Sequence, residues 1–517
     1  MASSVQKPKG KWLSKLEPLF GFDLRSLAVF RIGVAIILIA DLLIRAQDIT
    51  TLYSDAGVLP RTALIEEILH PWYWSVHLLG GQPFIQGVVF LLAGLIAVAL
   101  LVGYRTRLAA IASWVLLISL QNRNPTVLFA ADDMMRALLF WMMFLPLGAC
   151  YSVDSALNSS SKPLPKRILT GATFALTLQI YYVYAFSAAF KTTSDIWFPK
   201  LTAVYYALSF DQYAAPLGQF LLNFPPLLVF STVATLILEW IGPLFLFIPW
   251  RTTFFRCATI ITFVLLHVGL YVVSLSPVFK PLAYILRWRP LMAVGTKFYE
   301  TIASNRQVAG QFTAPLKFRP VEVRSSGLLN IVTLLLLAYV TVWNFRSLAD
   351  ARSLKQTLDP NVRAKIDRVM KSRTLNSLDW ISRLLRLDQS WSIFAPAPPR
   401  DDGWHVIVGK LKDGSEVDLL RNGRSVNWDK PTIKQRNALY PNMQWRTYFI
   451  NLNRAIGNKL YPYYAEYLCR TWNQQHQGNQ QLESLEIYFV DERTVPPGET
   501  QNVEKNSQWQ QSCSGED

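Results

Sequence analysis

Eight long apolar runs, near 26–46, 86–103, 107–121, 134–150, 168–190, 226–249, 254–275 and 327–344, constrain this chain more than any other feature. Most approach the roughly 20 residues that a bilayer-crossing helix needs. With 51% hydrophobic residues, 13% aromatic and only 17% charged, the 517 residues exclude a purely soluble protein and a mostly disordered one. The reading is an all-α polytopic membrane bundle of about eight or nine spans. A small extramembrane β-rich (α+β) domain follows it.

The net charge of +16 is unevenly spread. Residues 388–517 hold 14 Lys and Arg against 16 Asp and Glu, which leaves 37 against 19 for residues 1–387. Basic residues therefore flank the apolar helices, as insertion from a cytoplasmic side requires, and no recognition module points to nucleic acid. The N-terminal Lys7, Lys9, Lys11 and Lys15 precede an apolar run without a small-residue cleavage site, so it reads as a first span and not a removed signal.

From a cytoplasmic N-terminus the acidic loop 47–85 falls outside and the tight turn at Tyr104-Arg105-Thr106-Arg107 inside. Lys162, Lys166 and Arg167 are also inside, as are Arg251 and Arg256. The alternation fails at 276–326, which is basic where it should be outside. A Pro-interrupted crossing at 281–296 would restore it and put the C-terminal region outside. The partners are then the lipid bilayer of the membrane it crosses and a secreted protein or peptide that the C-terminal domain could bind.

The chain divides into a transmembrane domain (1–345), a helical connector (346–387), an extracytoplasmic β-rich domain (388–500) and a disordered tail (501–517). Asp413-Gly414 between two strand-like runs marks a hairpin, and LESLEIYFVDE a further strand. Cys469 and Cys513 either pair outside or remain thiols. No metal-ligand spacing is present.

Ionisable groups in apolar segments are costly and so mark either architecture or function. Asp132 and Asp133 share a helical face with Arg136 and either neutralise it locally or face a cavity. Arg31 and Asp41 are too far apart to pair, and each calls for an interhelical partner. Lys191 ends a Tyr-rich helix whose Tyr182 and Tyr184 can line a pocket for a flat apolar ligand. Burial there would favour a neutral amine able to take a proton, the alternative being a lysine that snorkels to headgroups. His267 is either an interhelical hydrogen-bond partner or a proton carrier. Glu239, one turn before Gly242-Pro243, marks either a polar ligand anchor or a plain kink.

Several segments together carry a family resemblance: Leu27-Ala28-Val29-Phe30-Arg31, Gly103-Tyr104-Arg105-Thr106-Arg107, Tyr151-Ser152-Val153-Asp154, Lys191 and His267. Over residues 20–345 the chain resembles the horizontally transferred transmembrane (HTTM) domain, which bacterial membrane proteins share with the vitamin K-dependent gamma-carboxylase. Residues 388–404, DQSWSIFAPAPPRDDGW, are similar to an extension on one set of bacterial members. The resemblance implies a lipid-soluble quinol, reduced menaquinone or a vitamin K-like quinol, as the cofactor. It also implies Lys191 as the base and matches His267 to a family histidine; on that footing the residues themselves suggest His267 and Asp133 as proton partners, Glu239 as a polar anchor, and Tyr182, Tyr184 and Arg136 around the substrate. Where the carboxylase carries an Asn-His pair this sequence has Ala131-Asp132-Asp133, and its lumenal region is much longer, so peptide carboxylation does not carry over. The rival reading is a non-catalytic scaffold or export factor whose Pro-rich FAPAPPRDDGW segment docks a secreted partner.

Overall fold

The computed structural model describes residues 11–160, 163–273, 323, 326–454 and 456–513. The chain is mostly helical, with a small C-terminal sheet. Among the described residues six helices are long and apolar enough to cross a membrane: α1 (Leu24–Ala46), α2 (Pro83–Val102), α5 (Gly171–Lys191), α6 (Pro225–Ile241, prolonged by a 3-10 turn to Phe247), α7 (Thr252–Val273) and α8 (Gly327–Ala349). The chain is a multi-pass membrane protein by this criterion.

Two of the eight expected runs behave differently. Residues 107–121 lie in α3 (Thr106–Arg123), whose last turns are buried on every side and include Gln121, Asn122 and Arg123. Such a helix is the centre of a bundle, where protein and not lipid meets its polar groups. Residues 134–150 begin in α4 (Ala130–Met142), whose 13 residues cover only about 20 Å before the chain leaves helical geometry. The proposed crossing at 281–296 lies outside the described residues.

α1 shows how the bundle is built. Asp23 caps it by accepting the Arg25 N–H at 2.8 Å. Its buried stripe then runs Leu24, Leu27, Arg31, Val34, Leu38, Leu42 and Arg45, a helical repeat in which two members are arginines. α1 packs on α2, α2 on α3 and α3 on α4. α5 packs on α6 and α8.

Arg31 is held by carbonyls alone, those of Leu101, Leu147 and Tyr151 at 3.4, 3.0 and 2.6 Å, so the interhelical partner expected for it is backbone left over at a helix end. The Asp154 carboxylate closes the same corner by accepting from the Arg105 and Thr106 N–H groups and the Thr106 hydroxyl at 2.7–2.9 Å. Gly103 sits there at φ +71°, and a Cβ on it would lie 2.3 Å from Arg31 Nη1. Three of the segments that carry the family resemblance thus meet at one end of the bundle.

The C-terminal domain is a four-stranded antiparallel sheet, order β2-β1-β3-β4, formed by β1 (Gly403–Leu411), β2 (Glu416–Asp418), β3 (Leu482–Asp491) and β4 (Glu504–Ser512). β1 and β2 form the hairpin expected at Asp413-Gly414, with Gly414 at φ +85°. Helices α10 (Met443–Leu452) and α11 (Gly457–Gln475) cover one face through Tyr448, Phe449, Leu460 and Tyr464 against Ile407, Leu482, Leu485 and Ile487.

The tail expected to be disordered is instead β4 over 504–512. Its side chains are polar because it is an exposed edge, while its backbone is paired to β3 in continuous register apart from one shift. Cys469 and Cys513 form a disulfide, tying the end of β4 to α11. The closed loop has a sequence separation of 44 residues, for which chain entropy gives a contribution of about 4 kcal/mol. We expect Cys513→Ser to lower the unfolding midpoint of the C-terminal domain and to speed amide exchange in 504–512 first. Unchanged exchange there would mean the ladder holds without the bridge.

Candidate functional site

Lys191 is the last residue of α5, 2% exposed, and its ammonium meets Glu239 of α6 at 2.9 and 2.7 Å to the two carboxylate oxygens. The Ser187 hydroxyl, one turn back, accepts at 2.6 Å, and the Trp197 ring lies beneath the nitrogen at 5.1 Å. Lys191 therefore does not snorkel. Glu239 is its counter-ion in a water-poor junction, so the polar anchor and the base foreseen as separate groups form one unit.

A cleft of about 720 Å³ opens elsewhere on the same helix, between α5, the turn after α6, and α7. Its walls are apolar, with Thr177, Tyr184, Arg256, Thr259 and His267 as the polar groups. Tyr184 lies against Phe263 at 4.1 Å between ring centroids and edge-on to His267 at 6.2 Å. The His267 Nδ1 is 2.8 Å from the Phe263 carbonyl, which can only accept, so Nδ1 carries the hydrogen and donates it.

Lys191 itself does not line the cleft. It lies two helical turns beyond Tyr184, about 10 Å along α5. Tyr184 is the cleft-lining residue of α5 nearest to Lys191 in sequence.

The remaining residues singled out in the sequence lie elsewhere. The Tyr182 hydroxyl bonds Thr341 of α8 at 2.7 Å, which makes it a helix-packing contact. Asp133 bonds Arg136 at 2.7 Å, the local pairing their spacing allows. Arg136 also donates to Gln121 and to the carbonyls of Arg386 and Asp388 at 2.7, 2.9 and 3.3 Å, so it fastens the start of the C-terminal region to the bundle. Among the described residues no hydrogen bond or ion pair joins Asp133 or Arg136 to the Lys191 junction.

Asp41, expected to need a partner on another helix, pairs instead with Arg45 one turn on, at 2.8 Å. Arg45 in turn bridges to Asp132 of α4 at 2.5 Å and to the Tyr53 hydroxyl at 3.0 Å. The Asp41-x3-Arg45 spacing was a readable signal. Gln389 could not have been found this way: it enters the bundle and meets Gln179, Trp391 and Asn344 at 2.9, 3.1 and 3.4 Å.

The Pro-rich segment is occupied within the chain. Its Phe394 carbonyl accepts from Trp197 at 3.1 Å, and Arg400 lies over Tyr206 at 4.3 Å. Phe394 and Ala397 pack on Ile196, Trp197 and Tyr206. The same Trp197 thus covers Lys191 on one side and receives the C-terminal region on the other.

A second junction lies at Asp402, which accepts the Asp211 N–H at 2.5 Å and the Gly403 N–H at 2.8 Å. Lys430 bridges Asp211 to Glu492, and Arg436 reaches the Asp211 carboxylate at 3.3 Å. Burial, with Asp211 adding repulsion, pushes the Asp402 carboxyl up to about 7. Burial alone pushes His405, next along β1, down to about 3.

Among the described residues no group of three or more His, Cys, Asp or Glu converges as a metal site. No family model, curated protein or solved structure matches the chain.

Two expectations follow. Glu239→Ala leaves a buried ammonium without its counter-ion and should cost about 3–5 kcal/mol. The paired Lys191→Met, Glu239→Leu change should recover most of that loss in thermal unfolding of the detergent-solubilised chain. No recovery would mean the pair is not coupled.

For Asp402 the folded value lies above the unfolded one of about 3.9, so its stabilisation is full at acid pH and is lost as pH rises from about 4 to 7. His405 has the opposite slope, lost as pH falls below about 6.5. We therefore expect Asp402→Asn, measured against wild type over pH 4–8, to gain relative stability as pH rises. A constant difference between the two would remove Asp402 as the titrating group.

Proposed function

We propose that this protein is a member of the HTTM, gamma-carboxylase-like superfamily that binds a lipid-soluble quinol in the cleft between α5 and α7 and deprotonates it through the Lys191–Glu239 pair. The observation that carries this reading is the pair itself: an amine and a carboxylate held in contact away from water, at the end of the same helix α5 that lines an apolar cleft two turns back at Tyr184. Apolar walls with a few polar groups suit a naphthoquinol ring and an isoprenoid chain. In this reading Tyr184 and His267 orient the quinol hydroxyls. The proton passes by way of Tyr184 to the Glu239–Lys191 pair, and Trp197 with Ser187 keeps water from the ammonium. Asp133 and Arg136 take a positioning role, since they fasten the C-terminal region that closes over Trp197.

Reaction of the deprotonated quinol with dioxygen would give the quinone epoxide and water, the two hydroxyl hydrogens and one oxygen atom leaving as water. No further oxidant is required.

The orientation proposed is a cytoplasmic N-terminus and an extracytoplasmic C-terminal domain in a bacterial plasma membrane. The C-terminal domain bonds the loops at one end of the bundle, through Asp48 to Asn442 and Trp445, Thr126 to Asn451, and Asp211 to Asp402. These loops fall on one side only if α3 and α4 also traverse the bundle. The disulfide suits an oxidising compartment at that end. Arg105, Arg107, Lys166, Arg167 and Arg251 suit the cytoplasmic surface at the other. A partner-binding scaffold loses its original motive, because FAPAPPRDDGW is engaged by this chain.

The test uses the full chain in lipid nanodiscs with reduced naphthoquinone and dioxygen, epoxide being measured by mass spectrometry. Wild type should form epoxide well above the protein-free rate. Lys191→Ala and Glu239→Gln should fall at least about tenfold, while folded Tyr182→Phe should keep its rate. Background product from wild type would sink the reading.

A further inference from the structure

Past the end of α8 the chain turns back along its own membrane helix. The Tyr339 hydroxyl, ten residues or about 15 Å before Ala349, donates to the Leu378 carbonyl at 2.9 Å and accepts the Ser382 N–H at 3.1 Å. Residues 350–378 are therefore an excursion that leaves and returns at the level of the last turns of α8. Aromatic and arginine side chains gather at that level, with exposed Trp72 and Trp380 at 6.0 Å and Arg346 and Arg383 both over Trp343 at 5.5 and 5.4 Å. Tryptophan with arginine is the composition of a membrane–water boundary.

Helix α9 (Pro360–Met370) lies in this excursion and packs on α8. Asp359 caps it by accepting from the N–H groups of Asn361 and Val362. Val362, Ile366, Val369 and Met370 fall on one face, and Val362 and Val369 are 45% and 60% exposed. Arg363 and Lys365 border that face, and Arg368 and Lys371 follow behind it. Asp367 takes Arg363 and Lys371, at 3.9 and 3.2 Å. Among the described residues Lys365, Arg368 and Arg373 have no carboxylate partner. Two exposed valines bordered by cations, on a helix held at the end of a span, call for a setting that takes both. A lipid surface does, since valines enter the acyl boundary while long basic side chains reach phosphate.

We infer that α9 is an interfacial helix that lies in the headgroup layer of the bilayer the chain spans and binds anionic phospholipid through Lys365, Arg368 and Arg373. This holds whether or not the quinol reading does, because it uses neither the cleft nor the Lys191 pair. It also gives the 346–387 connector a task, that of fixing the depth of α8 and hence the level at which the C-terminal domain rests on the bundle.

The test uses the full chain with Cys150→Ser and Cys257→Ser, the disulfide retained, carrying one spin label at Asn361→Cys, Val362→Cys, Arg368→Cys or Val369→Cys. Each is reconstituted in phosphatidylcholine alone or with phosphatidylglycerol. All four positions are exposed, so folding is preserved and is checked by the melting profile. Labels at 362 and 369 should collide with dissolved oxygen in preference to a nickel chelate by at least about threefold, with the reverse at 361 and 368. Phosphatidylglycerol should deepen 362 and 369, and Lys365→Glu, Arg368→Glu, Arg373→Glu together should abolish that dependence. Equal chelate access at 361 and 369, shielding of 369 from both reagents as by a protein partner, or no response to phosphatidylglycerol would each overturn the inference.

Discussion

Charge taken out of water must be answered by charge or dipole, and this constraint organises the membrane half of the molecule. Lys191 finds Glu239 across α5 and α6, Arg45 finds Asp41 and Asp132 across α1 and α4, and Arg31 finds three carbonyls where helices end. Each answer joins segments far apart in sequence. Helices that lipid alone would leave free to slide are thereby fixed in register, and apolar packing then completes the bundle.

The same constraint binds the two halves of the chain. Arg136 is neutralised by Asp133 but directs two further bonds to backbone of residues 386–388, and Asp388 is met by Tyr73, Arg383 and Arg386. Gln389 and Trp391 continue inward, so the expected boundary at 388 falls inside the bundle. Trp197 then serves both halves, with Lys191 over its ring and Phe394 on its indole N–H. In the proposed chemistry this arrangement matters because the seal over the Lys191–Glu239 pair is made partly by the C-terminal region.

The cleft shows what a contact pair changes in the reading of a buried lysine. Desolvation argues for a neutral amine, and a carboxylate at 2.7 Å argues for an ammonium. Held together, they satisfy each other without water. Tyr184 lines the cleft and shares α5 with Lys191, two turns apart, so one helix carries both parts.

The sequence by itself determined the membrane class, the positions of six long apolar helices and the Asp413-Gly414 hairpin, and it offered the short-range ion pair of Asp133 with Arg136 as one of two readings. All of these follow from composition or from contacts within about four residues, which the chain displays directly. It also contained the Asp41–Arg45 spacing, although distance to Arg31 drew the reading elsewhere. Tertiary structure alone decided the rest. It chose Glu239 for Lys191 and set Tyr182 on α8 and Tyr184 on the cleft. It paired Cys469 with Cys513 and made polar residues 504–512 an edge strand instead of a loose end. The physical reason is common to these cases: partner choice across tens or hundreds of residues depends on which helix faces and strand edges the whole fold brings together, and local pattern records only that a partner is needed.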